Sequence, residues 1–284
     1  MENTDLIETL IVVSCVVFIV LALDLANGLL FCKKGKRSTS SEKNPIVVIV
    51  AMEIEFEDLL KKLENTNITS ISKYKFYEGT INDYPVVICH CRVNEINAAI
   101  VTLMAIQKYH PIAIINEGTA GGYGESIHKN DIVIGTSAIN LASVKTPQKK
   151  KGEGSNSLEW TMIGFFDDDE GNRKDFQKAD ENLVNLAKKI EYKNGTVHFG
   201  VVGSSDNWNS EADRILWLNK ELGALCEEME CISIYTVANN FNIPVIGIKV
   251  ISNNDMINES FDTSTALSSQ TFTYDLILKI ISEY

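Results

Sequence analysis

Four short segments concentrate the residue types that do chemistry: Ala51-Met52-Glu53-Ile54-Glu55, Asn116-Glu117-Gly118-Thr119-Ala120-Gly121-Gly122, Glu227-Glu228-Met229-Glu230 and Ile251-Ser252-Asn253-Asn254-Asp255. Carboxylates can take a proton or accept hydrogen bonds, small residues let a backbone approach a ligand, and amides donate without ionising. Each segment follows an apolar run of strand length. Taken singly, each has a plain explanation: acids at a helix start complement the dipole, and glycines after a strand make turns. Their order and spacing together point further, because ligands of α/β sheets collect outside the carboxyl ends of the strands.

The elements that must position these segments are legible as alternating apolar runs and amphipathic stretches. Strands are expected at Ile46–Val50, Val86–Cys91, Ile112–Ile115, Ile132–Ile134, Val197–Val202, Ala224–Cys226 and Val245–Val250. Helical spacing marks the stretch around Phe56–Leu63, then Asn97–Tyr109, Glu181–Ile190, Ala212–Leu222, Ile232–Phe241 and Thr265–Ser282. Continuous β-branched strands interleaved with helices predict an α/β sheet covered on both faces. Lys145–Ser157 and the acidic Asp167–Asn172 read as surface loops.

Composition excludes several classes. With 26 basic against 38 acidic side chains among 284 residues, the net charge of −12 argues against nucleic acid as a partner. Apolar residues at 45% and charged residues at 23% are ordinary globular usage, not that of a disordered chain. Six cysteines and four histidines form no CxxC, HxH or HExxH spacing, so no metal site is expected. Cys89 and Cys91 share one strand face and read as buried free thiols.

The amino-terminal region differs from the rest. Leu10–Leu23 is apolar and uncharged, and after Asp24 and Asn27 the run resumes through Leu29, Leu30, Phe31 and Cys32. A helix over 10–32 would be roughly 35 Å long, enough to cross a hydrocarbon core. Acidic Glu2, Asp5 and Glu8 precede it and Lys33, Lys34, Lys36 and Arg37 follow, the flanks of an uncleaved single-pass anchor whose following domain is cytoplasmic. A buried helix of the globular body is the other reading, and Asp24 is costly inside a span. The expected organisation is a flank over 1–9, a transmembrane anchor over 10–32, a polar linker over 33–44 and one domain over 45–284.

Over that domain the four segments resemble the nucleoside phosphorylase and nucleosidase superfamily, most closely the 5′-methylthioadenosine/S-adenosylhomocysteine nucleosidases. The resemblance implies a three-layer αβα sandwich with a mixed, partly barrel-like central sheet, a homodimer, and cleavage of the N-glycosidic bond of a purine nucleoside without a cofactor. The family's catalytic acid falls on Glu55 of AMEIE, where a carboxylate accepts a proton from the attacking water; a first-turn helix acid is the plain alternative. NEGTAGG matches the family's NTGSAGG turn, placing Gly121 against the sugar and the Thr119 hydroxyl where the family uses serine. Glu117 departs from the pattern, with its orientation open. EEMEC matches EMEA, implying that Glu230 takes the 2′ and 3′ ribose hydroxyls and Met229 packs beneath the sugar. Glu228 belongs to the same substrate-binding segment or serves as helix cap or salt-bridge partner.

Ser205-Asp206-Asn207-Trp208-Asn209 stands in the place of the family's SGDxF loop, so Trp208 would stack on the base. The family's Ser-Asp, whose acid activates purine N7, is here Ser252-Asn253. An amide donates a hydrogen bond to N7 but delivers no proton. Phosphorylases selective for 6-oxopurines can use asparagine in this role, so a phosphate-dependent enzyme and a catalytically impaired nucleoside binder stay open beside the nucleosidase. Asn116 stands where hexameric phosphorylases resembling this family carry an arginine, which favours water. The family's SGIGK loop becomes Cys91-Arg92-Val93-Asn94-Glu95, where Arg92 either binds an anion or, as the favoured expectation, forms a surface ion pair with Glu95.

Overall fold

The computed structural model describes residues 43–166, 173–174 and 176–283. The anchor expected over 10–32, the linker up to residue 42 and the acidic Asp167–Asn172 segment lie outside them. Among the described residues no helix is long and apolar enough to cross a membrane.

Strand β1 (Ile46–Val50) is apolar and buried at every position, as a strand covered on both faces must be. A 3-10 turn at Glu53–Glu55 and the short helix α1 (Glu57–Leu60) follow it. Strands β2 (Glu64–Ile71), β3 (Tyr74–Ile81) and β4 (Tyr84–His90) then form an antiparallel meander. Helix α2 (Glu95–Tyr109) leads into β5 (Ala113–Gly122) and β6 (Ile132–Asn140). Two small ladders stand apart from the main sheet, β7 (Val144–Lys145) with β8 (Thr161–Met162) and β9 (Phe165–Phe166) with β10 (Arg173–Lys174). The chain continues through β11 (Gln177–Lys178), α3 (Glu181–Ala187), β12 (Val197–Ser204) and α4 (Ala212–Leu222). It ends with β13 (Ala224–Glu228), α5 (Cys231–Asn240), β14 (Val245–Asn253) and α6 (Ala266–Glu283).

The sheet runs β11-β6-β12-β13-β5-β1-β4-β3-β2, and β14 pairs with both β5 and β6. Because β14 joins β5 in parallel and β6 in antiparallel fashion, β6, β12, β13, β5 and β14 close into a barrel-like ring. Strands β1 to β4 extend from it as a wing. Alternation along β1 sends Ile46, Val48 and Val50 to one apolar core and Val47 and Ile49 to the other. The first core is closed by α3 and α6, the second by α2 and α5. Cys89, Cys91, Cys226 and Cys231 are buried free thiols of the second core.

One sequence expectation is corrected here, and one hairpin was not anticipated. The NEGTAGG segment is no turn after a strand but the second half of β5, which pairs with β14 and β13 there. Glycine relieves crowding there: a methyl on Gly122 would lie 3.1 Å from side-chain carbons of Ile127 and Ile251. The β2–β3 hairpin is absent from the expected strands, because β2 (ENTNITSI) is an exposed edge strand with no apolar run.

Candidate active site

The carboxyl ends of β1, β5, β13 and β14 surround a hollow of about 270 Å³. Its wall includes all nine residues singled out from the sequence: Glu55, Thr119 and Gly121 from the first two segments, Trp208 from the loop after β12, and Glu228, Met229, Glu230, Ser252 and Asn253 from the last two.

Glu55 sits in the 3-10 turn after β1, 3% exposed. Its Oε1 accepts hydrogen bonds from the Thr119 N–H (2.8 Å) and hydroxyl (3.0 Å), and Oε2 accepts from the Met52 N–H (2.9 Å). Gly118 permits this approach, since a Cβ there would lie 3.0 Å from Oε1. Burial pushes the carboxyl above its ordinary value, against the pull of these N–H groups and of Lys249.

Glu230 stands at the entry to α5, where its Oε1 accepts from the Asn94 N–H at 2.8 Å. Burial, then the neighbouring Glu228, pushes its carboxyl up to about 8. Glu228 borders the hollow, but its oxygens are engaged by the protein: Ser204 Oγ, the N–H groups of Glu230 and Cys231, and Lys249 Nζ at 2.8 Å. It is the cap and salt-bridge partner of the two readings open in the sequence. Lys249 is 1% exposed; burial opposes its charge, but Glu228 holds the ammonium well above the ordinary lysine value.

At the other side, the Ser252 hydroxyl lies 3.1 Å from Asn253 Oδ1 and 3.2 Å from the Ala120 carbonyl. Trp208 is 58% exposed and meets Phe261 edge-on, with ring centroids 5.6 Å apart. Both rings line the hollow.

Several residues were not assigned a role from the sequence. Lys249 is the most informative, because a lone lysine within the buried strand VIGIKVISN demands a buried anion. Glu227, Tyr123 and Phe261 also line the hollow. Glu117 turns out to face α6, where Ser269 Oγ donates to it at 3.1 Å; burial holds its carboxyl well above the ordinary range. Asn116 is buried in the sheet, donating to the Ile49 carbonyl at 3.2 Å. The expected Arg92–Glu95 ion pair is not formed: the Glu95 carboxylate faces Asn140 at 3.3 Å. Arg92, with φ 71°, precedes α2, so the helical geometry that makes residues three apart neighbours does not include it.

The chain matches the phosphorylase superfamily over residues 45–282. The 5′-methylthioadenosine/S-adenosylhomocysteine nucleosidase of Halalkalibacterium halodurans is 30% identical over 209 residues, covering 73% of this chain and 84% of the relative. That of Bacillus cytotoxicus is 28% identical over 247 residues, covering 84% and 98%. In structure, the Neisseria meningitidis nucleosidase in complex with methylthio-immucillin-A superposes with a TM-score of 0.69 at 23% identity, over 84% of this chain and 100% of that one.

The buried Lys249–Glu228 pair yields a stability prediction. Lys249→Met leaves an uncompensated buried carboxylate and should cost about 3–5 kcal/mol, read from thermal or urea unfolding. Adding Glu228→Gln should recover part of that loss. A single variant within about 1 kcal/mol of wild type would contradict the role given to the pair.

Proposed function

The chain belongs to the phosphorylase superfamily, and from that premise we propose that it hydrolyses the N-glycosidic bond of a purine nucleoside of the 5′-methylthioadenosine/S-adenosylhomocysteine type, releasing the free base. The observation that carries this reading is the charge of the hollow. Glu55, Glu227, Glu228, Glu230 and Asp255 line it, and no lysine, arginine or histidine is among the described lining residues. A phosphate dianion would enter against carboxylates with no cation to receive it, whereas water and a sugar becoming oxocarbenium-like are favoured. This sets phosphorolysis behind hydrolysis.

In the proposed mechanism Glu55 takes a proton from the attacking water, its orientation fixed by Thr119 and Met52. Glu230 accepts from the 2′ and 3′ hydroxyls with Met229 beneath the sugar, Gly121 leaves room for it, and Trp208 and Phe261 flank the base. Asn253, oriented by Ser252, donates to the purine edge. Because an amide delivers no proton, leaving-group activation is weaker than with an acid, and this favours a second reading as a nucleoside binder with impaired turnover.

A homodimer is supported by the outward face of α2, where Ile96 is 67% exposed and Ile100 and Leu103 continue the apolar stripe. A membrane anchor over 10–32, with the domain cytoplasmic, is supported by its apolar run and basic flank.

Purified full chain should release base from methylthioadenosine without added phosphate, and Glu55→Gln should lower kcat/KM by about 10²-fold or more with the fold intact. A full-rate variant, or release only with phosphate, would reject the mechanism. Since Glu55 and Glu230 act ionised and both are raised from the ordinary 4.5, Glu230 to about 8, kcat/KM should fall with decreasing pH already above the usual carboxylate range. A pH-independent rate from 5 to 8 would contradict this. Ile96→Glu should convert a sedimenting dimer to monomer; a monomeric wild type removes the dimer. The full chain should stay with carbonate-washed membranes, and its recovery in the supernatant would remove the anchor.

A further inference from the structure

The carboxylate of Glu55 is held at its tip by Thr119 and Met52, and the chain that carries it must be held as well. On one side of it Glu53 and Ile54 are exposed. On the other, α1 has four residues, far below the length at which a helix stands on its own. The start of a helix leaves backbone N–H groups without intrahelical partners, and a Ser, Thr, Asp or Asn at the N-cap ordinarily accepts from the second and third of them. Phe56 occupies that position in α1 and makes no side-chain cap.

The missing acceptor comes from α6. Gln270 is 2% exposed, and its Oε1 accepts from the Asp58 N–H at 2.7 Å and the Leu59 N–H at 3.0 Å, the second and third residues of α1. Its Nε2 donates to the Ile54 carbonyl at 2.9 Å and, within α6, to the Ala266 carbonyl at 3.1 Å. The partners fix which end of the amide is which, because a backbone N–H only donates and a carbonyl only accepts. Both hydrogens and both lone pairs of the amide are used, as burial requires.

The two ends of this side chain bracket the base. Ile54 is the residue before Glu55, and Asp58 and Leu59 are the third and fourth after it. Phe56 and Leu59 sink into the first apolar core. Apolar contact of that kind is non-directional and sets the depth of the turn, whereas hydrogen bonds prefer a narrow range of angles and set its orientation. An amide of this length does both jobs at once. Glutamate would keep the acceptor and lose the donor to Ile54, and asparagine is one methylene shorter.

We propose that Gln270 is a positioning residue for the general base: by gripping the chain on either side of Glu55 it sets where the carboxylate stands in the hollow. This rests on the reading of Glu55 as the base and extends it to α6, a helix that contributes no residue to the described wall of the hollow.

The test compares the full wild-type chain with Gln270→Met, a side chain of similar length without the amide, at a temperature where thermal unfolding shows both folded. Backbone hydrogen exchange over 52–60, followed by mass spectrometry, should be about tenfold faster or more in the variant. On methylthioadenosine, kcat should fall by about tenfold or more while KM stays within about threefold, since a displaced base loses rate and not substrate affinity. A cap of purely structural value would lower the unfolding temperature and leave kcat of the folded enzyme unchanged; that result overturns the inference, as does exchange that the variant leaves unmoved. Where Gln270→Met does not fold, Gln270→Glu carries the same two readouts. Glu55→Gln is measured alongside. A full rate there removes the base assignment and the inference with it, whereas a lost rate there beside a full rate in Gln270→Met removes the inference alone. If the wild type cleaves no nucleoside, the hydrolase reading fails, and the exchange alone decides whether Gln270 holds the Glu55 turn.

Discussion

A single buried ion pair ties the site to the fold. Lys249 lies in the middle of β14, Glu228 ends β13, and their 2.8 Å contact is shut away from water. Removing two charges from solvent is expensive, and attraction repays it only where the remaining hydrogen-bonding positions are filled. Here they are, because Glu228 also accepts from Ser204 of β12 and from the first N–H groups of α5. Three strands of the ring and the start of a helix are thereby held in one arrangement, and that helix start is the place from which Glu230 reaches the hollow. Asn94, at the start of α2, grips the other side of Glu230.

With Lys249 consumed by Glu228, the described lining of the hollow has acids and no free cation. This produces both the chemistry and its cost. Burial pushes the Glu55 carboxyl up, and burial followed by repulsion from Glu228 pushes Glu230 up, which makes Glu55 a stronger base once ionised. The same field favours a sugar that gains positive charge and disfavours an anionic nucleophile. Glu227 extends the acidic wall, held in place by Tyr123 and Asn209.

Much of this was legible in the residue order. Apolar runs located the interior strands, and Ala212–Leu222 was read with the boundaries the structure has, because Glu211 and Gly223 bracket an amphipathic stretch. The strand ends pointed to four segments and the family resemblance picked out residues in them and Trp208, and all nine line the hollow. What escaped was governed by tertiary neighbours. The edge hairpin has no buried face to pattern it, and β5 runs on through its glycines because two other strands crowd against them. Lys249 went unassigned although a lysine inside an apolar strand is an anomaly, and nothing in sequence distance joins it to Glu228. Glu227 and Glu228 are consecutive, and only tertiary neighbours set them apart, Glu228 held by Lys249 and Ser204 and Glu227 by Tyr123 and Asn209.

The convergence of Glu55 and Glu230 on one sugar is tested most directly by a crystal structure of the full chain bound to an iminoribitol nucleoside analogue, whose ring nitrogen mimics the charged sugar. The account predicts both ribose hydroxyls on the Glu230 carboxylate, a water between Glu55 and the anomeric carbon, and the base lying over Gly121. An analogue held elsewhere, or one whose hydroxyls are bound without Glu230, would contradict it.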